Sequence, residues 1–308
     1  MSLRHDTEAF DAFCKRYESE EDCIVALYNA KWPNGFRCPN CQCHHAYLIS
    51  TRRLPLYECY SCKKQTSLIK GTIMEGSRTS LRLWLRAIHL HARSNSINAL
   101  QLSNLLEVTY KTAWLICHKI RYAMRQADSM ILLAGIVRVT DAICYKRLTS
   151  TFELHKQEQP LLIGASGSED GNIGYLKIEH QSKMSLRDKY DCPNPKPFIL
   201  KHVDPRFSEN VIITRRFGKT MNKALVWESH YLSSWMGRMF RGIGPKHLQA
   251  YINQYCYHSN HPSVGRFGIL LIDSAIAHTI TYPALTGRPI THRSLNRSRV
   301  AWRSQKAI

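Results

Sequence analysis

Cys38-Pro39-Asn40-Cys41, then seventeen residues, then Cys59-Tyr60-Ser61-Cys62 set four thiols in two equally spaced pairs. Each C-x2-C pair presents two sulfurs on one side of a tight turn. A hairpin that brings two such turns together supplies the tetrahedral donor set that suits structural Zn²⁺. Cys43, His44 and His45 follow immediately and are alternative donors in place of Cys41, but only Cys38 with Cys41 makes two equal turns. A module of about forty residues rarely folds on apolar burial alone, whereas structural zinc contributes on the order of 10 kcal/mol. The metal is therefore expected to determine this fold.

Lys and Arg outnumber Asp and Glu by 43 to 23, a formal charge of +20. An excess of that size suits a polyanion, because each cation that neutralises a phosphate releases condensed counterions. Residues 52 to 128 hold thirteen Lys/Arg against four Asp/Glu, and no acid follows Asp273, so the charge is not evenly spread. Nucleic acid is the expected partner, and the helical pattern over 77–128 makes it double-stranded DNA. The eleven cysteines are odd in number and the N-terminal Met-Ser-Leu-Arg-His-Asp has no apolar signal region, so a reducing cytoplasm is expected rather than a secreted disulfide framework. No apolar run approaches a membrane span.

The elements that position these groups follow from periodicity. Phe10, Phe13, Cys14 and Tyr17, then Cys23, Ile24, Leu27 and Tyr28, predict two short helices within an N-terminal helical segment over 1–34. The metal module covers 35–76, with strands over Ala46 to Ile49 and Leu54 to Cys59 flanking an Arg52-Arg53 turn that is a candidate phosphate contact. Ser80, Ser96 and Thr109 each precede an apolar helical pattern. Three helices over 77–128 with the break Glu107-Val108-Thr109 fit a helix-turn-helix whose last helix offers Tyr110, Lys111, His118, Lys119 and Arg121 to DNA. A plain three-helix bundle has the same spacing. Beyond Gly135, runs at 136–139, 161–164, 173–178, 198–203 and 211–214 read as strands, and 224–240 and 245–257 as helices, which predicts a mixed α/β core over 135–260. Residues 261–308, rich in Arg, Ser, Thr and Pro, read as a basic tail.

The first 125 residues resemble the DDE-type insertion-sequence transposases that begin with a zinc ribbon. The likeness rests on Trp32-Pro33-x-Gly35-Phe36-x-Cys38-Pro39-x-Cys41, on Tyr57-x-Cys59-x-x-Cys62-x-x-Gln65-x-Ser67 and on Gly71-Thr72-Ile73-x-Glu75. It continues through Ala99-Leu100-Gln101-Leu102-Ser103, Tyr110-Lys111-Thr112-Ala113-Trp114 and His118-Lys119-Ile120-Arg121. The resemblance implies a ribonuclease-H-like domain over 135–260, in which acids from two strands and a helix hold two Mg²⁺ or Mn²⁺ ions for in-line phosphoryl transfer. It also implies a homo-oligomer on DNA and a prokaryotic, nucleoid-associated protein.

Carried onto this chain, the resemblance makes Asp141 the candidate first acid and Glu228 the candidate helix acid. Where the second strand acid belongs, the chain has Thr214-Arg215-Arg216, and two arginines repel a cation; Asp204 is the nearest upstream carboxylate. Three readings follow. The chain is an active transposase with Asp141, Asp204 and Glu228 as metal ligands, or a homologue whose catalytic half is degenerate while the DNA-binding half persists, or a zinc-ribbon and helix-turn-helix transcription regulator.

Overall fold

The computed structural model describes residues 10–147, 151–167 and 173–287. Helical turns over 10–16 lead to α1 (Glu20–Lys31), whose N-cap Ser19 accepts a hydrogen bond from the Asp22 N–H. A three-stranded antiparallel sheet follows, β1 (Ala46–Ile49), β2 (Leu56–Cys59) and β3 (Gln65–Ser67), in the order β1-β2-β3. Three helices come next: α2 (Leu81–Ala92), α3 (Ala99–Leu106) and α4 (Tyr110–Ser129). Ser80 and Thr109 cap α2 and α4 as expected. Helix α3 is capped by Asn98 rather than started from Ser96, because Asn98 and Gln101 form a reciprocal capping box. Glu107 closes α3 in the left-handed region (φ 53°), and only Glu107, Val108 and Thr109 separate α3 from α4.

The second half is built on a four-stranded sheet. Its strands are β4 (Ile136–Cys144), β5 (Gln159–Gly167), β6 (Ile173–His180) and β7 (Val211–Thr214), in the order β6-β5-β4-β7. β4, β5 and β6 are successively antiparallel, while β7 runs parallel to β4 with Thr140 opposite Thr214. Between β6 and β7 lies α5 (Lys196–His202), where the sequence pattern suggested a strand over 198–203. The turn chemistry decides otherwise: the Asn194 side chain accepts from the Lys196 N–H, and Pro197 sits in the first turn, where a missing N–H costs nothing.

α6 (Lys223–Phe240) covers one face of this sheet, where Leu225, Leu232 and Met236 pack against Ala142, Cys144 and Ile163. Phe198 and Val203 cover the other face with Val137, Val139 and Leu162. Gly164 lies under Phe198 so closely that a β-carbon there would come within 2.6 Å of the ring. Gly164→Ala is expected to cost about 1–3 kcal/mol by overpacking, read as a lower urea midpoint at unchanged m-value.

α7 (Pro245–Asn260) runs along the edge strand β6 and hydrogen-bonds to it through side chains. Gln249 accepts from the His180 N–H (2.7 Å) and donates to the Ile178 carbonyl (3.0 Å). Asn260 accepts from the Leu176 N–H (2.7 Å) and donates to the Leu176 carbonyl (2.9 Å).

The expected tail begins with ordered structure. α8 (Arg266–Ile276) and the short α9 (Tyr282–Thr286) follow α7. Leu270, Leu271 and Ala275 of α8 share one buried core with Leu27 of α1, Leu85 and Ile88 of α2, and Ile116 and Ile120 of α4. Phe267 meets the Phe13 ring edge-on at 4.9 Å. The chain thus returns to its N-terminal half after completing the sheet. The correction has a simple source: the apolar run from Phe267 to Ile276 has helical spacing, and the polar composition belongs to the residues after it. The remainder of the expected tail, 288–308, lies outside the described residues.

Candidate functional site

The two C-x2-C turns are built alike. The Cys38 N–H donates to the Cys43 carbonyl and the Gln42 N–H to the Cys38 carbonyl; the Cys59 N–H donates to the Lys64 carbonyl and the Lys63 N–H to the Cys59 carbonyl. Gln42 (φ 62°) and Lys63 (φ 55°), each just after the second cysteine, take the left-handed conformation that turns the chain back. The pairing of β1 with β2, with Ala46 opposite Cys59, then brings the two turns face to face.

As a result the Sγ atoms of Cys38, Cys41, Cys59 and Cys62 all lie within 4.8 Å of one another. Cys38 and Cys62 are 3.6 Å apart and Cys41 and Cys59 3.4 Å, close to the edge of a tetrahedron with Zn–S bonds of about 2.3 Å. The four thiols fit Zn²⁺ in donor type, number and spacing. Cys43 is not part of the set: its carbonyl closes the first turn, and its thiol points to the His45 carbonyl at 3.8 Å. The His44 imidazole lies 3.4 Å from the Arg37 guanidinium. The Lys64 N–H holds the Cys62 thiol down to about 6, whereas Cys41, despite the Cys43 N–H, is pushed up to about 12 by hydrogen bonds with the Cys59 and Cys62 thiols.

The carboxylates are arranged differently. Asp141 is buried on β4, and Arg216, two residues past β7, is buried against it. The Arg216 backbone N–H donates to Asp141 Oδ1 at 2.9 Å, and its Nη1 pairs with Oδ2. The guanidinium also donates to the Lys189 carbonyl, and Arg215 donates to the Tyr190 carbonyl at 3.1 Å, so the two arginines tie the 189–191 loop to the end of β7.

Side chains alternate along a strand, which puts Asp141 on the face of Val137 and Val139, and Thr140 on the face of Ala142 and Cys144 that α6 covers. Glu228 is on α6, where it accepts a hydrogen bond from the Tyr255 hydroxyl at 2.7 Å. Asp204 caps the 3₁₀ turn Pro205–Asn210, accepts from the Arg206 N–H and is held by the Arg206 guanidinium below the usual carboxylate range. The structure therefore does not gather Asp141, Asp204 and Glu228. Among the described residues the four cysteines are the only group of three or more Cys, His, Asp or Glu whose donor atoms converge.

Three of the residues expected to face DNA are interior. Lys119 donates to the Ile73 carbonyl (2.8 Å) and the Glu75 carbonyl (3.3 Å). Arg121 donates to Gln254 (2.8 Å) and lies 4.0 Å above the Tyr251 ring. His118 packs against the Trp114 ring with centres 4.0 Å apart and the planes tilted by 37°, and burial lowers its imidazole to about 3. Helix α7 covers His118 and Arg121, and the turn at Ile73 to Glu75 covers Lys119, leaving Tyr110 and Lys111 exposed at the start of α4.

Residues 18–65 match the family model described as a transposase zinc-ribbon domain. This stretch is similar to a transposase zinc ribbon. The chain is also 30% identical over 101 residues to an uncharacterized protein in transposable element ISH50 of Halobacterium salinarum. That alignment covers 32% of this chain and 34% of the relative, so the chain matches only about a third of the relative's length. No solved structure matches the chain.

The ribbon is joined to α1 by an aromatic cluster in which Trp32, Phe36, Tyr57 and Tyr28 lie 5.1–5.7 Å apart between ring centres. Beside this cluster the ribbon has a cleft of about 520 Å³ lined by Lys31, Arg37, Arg52, Lys64 and Lys70, with no acid among its lining residues. Lys31 is held over the Trp32 ring at 4.5 Å, and burial lowers its ammonium to about 8. Arg52 was visible in the sequence as part of the basic turn. The other four were not, because they come from segments that only the fold brings together. The adjacent Arg53 reaches Glu20 at 3.5 Å, a partly exposed pair. Among the described residues no helix is long and apolar enough to cross a membrane.

Proposed function

We propose that this chain is a transposase-derived DNA-binding protein whose ribonuclease-H-like half holds a buried ion pair where strand-cutting relatives need a metal site. The observation that carries this reading is Arg216 on Asp141: a guanidinium occupies the carboxylate that would hold a divalent cation, and a cation there would meet a fixed positive charge. Strand order β6-β5-β4-β7, with three antiparallel strands and a fourth parallel to the first, supports the ribonuclease-H-like reading of this half. The short α3–α4 connection supports the helix-turn-helix reading.

In this reading DNA runs across the transposase ribbon, where the cleft cations and Arg53 contact phosphates, and reaches Tyr110 and Lys111 at the N-terminus of α4. Binding is expected to weaken steeply with salt, measured by fluorescence anisotropy on a labelled duplex. Arg52→Gln/Arg53→Gln should lower the affinity and reduce the slope of log K against log salt by about 2. An unchanged slope would remove the ribbon turn from the DNA surface. Supercoiled plasmid incubated with the protein and Mg²⁺ or Mn²⁺ should stay intact. Nicking that Asp141→Asn abolishes would overturn the non-cutting reading in favour of an active transposase with Asp141 as a metal ligand.

A further inference from the structure

A second polar cavity lies between α4, the first turns of α7 and the end of the described chain at α9. Its volume is about 190 Å³, below the roughly 300–1,000 Å³ of sites for drug-sized ligands, so it suits a small ion or a single chemical group. His118 and Arg121 line it from α4 and are 3% and 2% exposed. Both keep a buried nitrogen without a hydrogen-bond partner, Nε2 of His118 and Nη2 of Arg121. Such groups are costly to leave unsatisfied. Arg121 cannot turn away to satisfy its own, because Gln254 holds its Nε and the Tyr251 ring lies under its guanidinium.

Arg125 and Lys246 are exposed and line the same cavity, which places two further cations where a ligand would enter from solvent. No Asp or Glu is among the lining residues, and none of the carboxylate ion pairs among the described residues involves Arg121, Arg125 or Lys246. Lys246 and His247 belong to the first turn of α7, a sixteen-residue helix whose N-terminus has no side-chain cap. A cation is repelled from such a place, and an apolar group would leave the two buried nitrogens unpaired. A group with several negative oxygens directed to different sides satisfies them.

We propose that this cavity binds a phosphate group, with His118 and Arg121 at its floor and Arg125 and Lys246 at its mouth. The inference stands apart from the DNA reading, since the group is either free phosphate or the terminal phosphate of a nucleic-acid strand. The full chain is titrated with sodium phosphate against sodium chloride at matched ionic strength, by calorimetry and thermal unfolding. One saturable site per chain is expected. Arg125→Gln/Lys246→Gln, which alters only exposed side chains, should weaken it at least tenfold, and Arg52→Gln/Arg53→Gln should leave it unchanged. Phosphate acting no differently from chloride, or binding undiminished in Arg125→Gln/Lys246→Gln, overturns the site. Duplexes ending in a 5′-phosphate or a 5′-hydroxyl separate the sources. A preference for the phosphorylated end that Arg125→Gln/Lys246→Gln abolishes supports a strand end as ligand; no preference, with the calorimetric site present, supports free phosphate.

Discussion

Removing zinc, by chelation or in a Cys59→Ser/Cys62→Ser variant, is expected to unfold the ribbon and to loosen the helical core to which it is joined. The ribbon's strands are only four, four and three residues long, too short for a sheet to stand on its own ladder of hydrogen bonds. Its apolar material is the Trp32, Phe36 and Tyr57 cluster, and the side chains of Cys38 and Cys59 are buried in that same core. Structural zinc contributes about 10–16 kcal/mol of apparent free energy in zinc-finger peptides, against about 1.5–3 kcal/mol for burying one large apolar side chain. Because the ribbon shares its core with α1, α2, α4 and α8, the loss should reach beyond it, as reduced helical signal in circular dichroism and altered Trp32 and Trp84 fluorescence.

The metal content should be about one zinc per chain, absent from Cys59→Ser/Cys62→Ser and retained in Cys43→Ser. A double variant that still holds zinc would move the ligands toward Cys43 and its neighbouring histidines. The thiols must lose protons to bind. Protons therefore compete with the metal, and zinc affinity should fall as the pH is lowered from about 8 to about 6.

Arg216→Ala is expected to cost about 3–5 kcal/mol of stability, because it leaves the Asp141 carboxylate buried and without its partner. The loss is larger than for removal of an exposed ion pair such as Arg206 with Asp204, which contributes little in water. Asp141→Leu/Arg216→Met should regain most of it, since well-packed apolar replacements of a buried pair are often neutral or better. Urea unfolding of Asp141→Leu, Arg216→Met and the double variant gives the coupling energy directly. Arg216→Ala also tests function. If Arg216→Ala proved as stable as the parent and gained Mg²⁺-dependent nicking, the arginine would be holding a competent site closed, and the structural reading of the pair would fail.

What could be read in advance depended on how local the information was. The zinc donors are fixed by spacings of two residues within each turn, so the sequence alone located them, and the structure excluded Cys43 through a single thiol and carbonyl contact. The conflict at Thr214-Arg215-Arg216 was also visible. Its outcome was not, because Arg216 reaches Asp141 only through the parallel pairing of β7 with β4, seventy-five residues apart in the chain. Misreadings had the same cause. His118, Lys119 and Arg121 have the composition of a DNA-facing surface, but α7, more than a hundred residues later, closes over His118 and Arg121, and the turn at Ile73 to Glu75 closes over Lys119. The helix at 196–202 looked like a strand because its apolar run is short, and at that length the turn residues before it decide the conformation.

The contacts of Gln249 and Asn260 with β6 decide where this sheet can grow. An amide side chain carries an NH₂ donor group beside a carbonyl acceptor and can therefore stand in for a peptide group of a neighbouring strand. Through two such stand-ins, α7 already occupies the outward-facing main chain of β6 at Leu176, Ile178 and His180. A further strand, whether from a partner or from another copy of the chain, is shut out there. β7 pairs only with β4 among the described strands and carries the exposed side chains Ile212 and Ile213. The two margins of the sheet are thus unequal: one is sealed from within the chain, and strand addition is directed to the other.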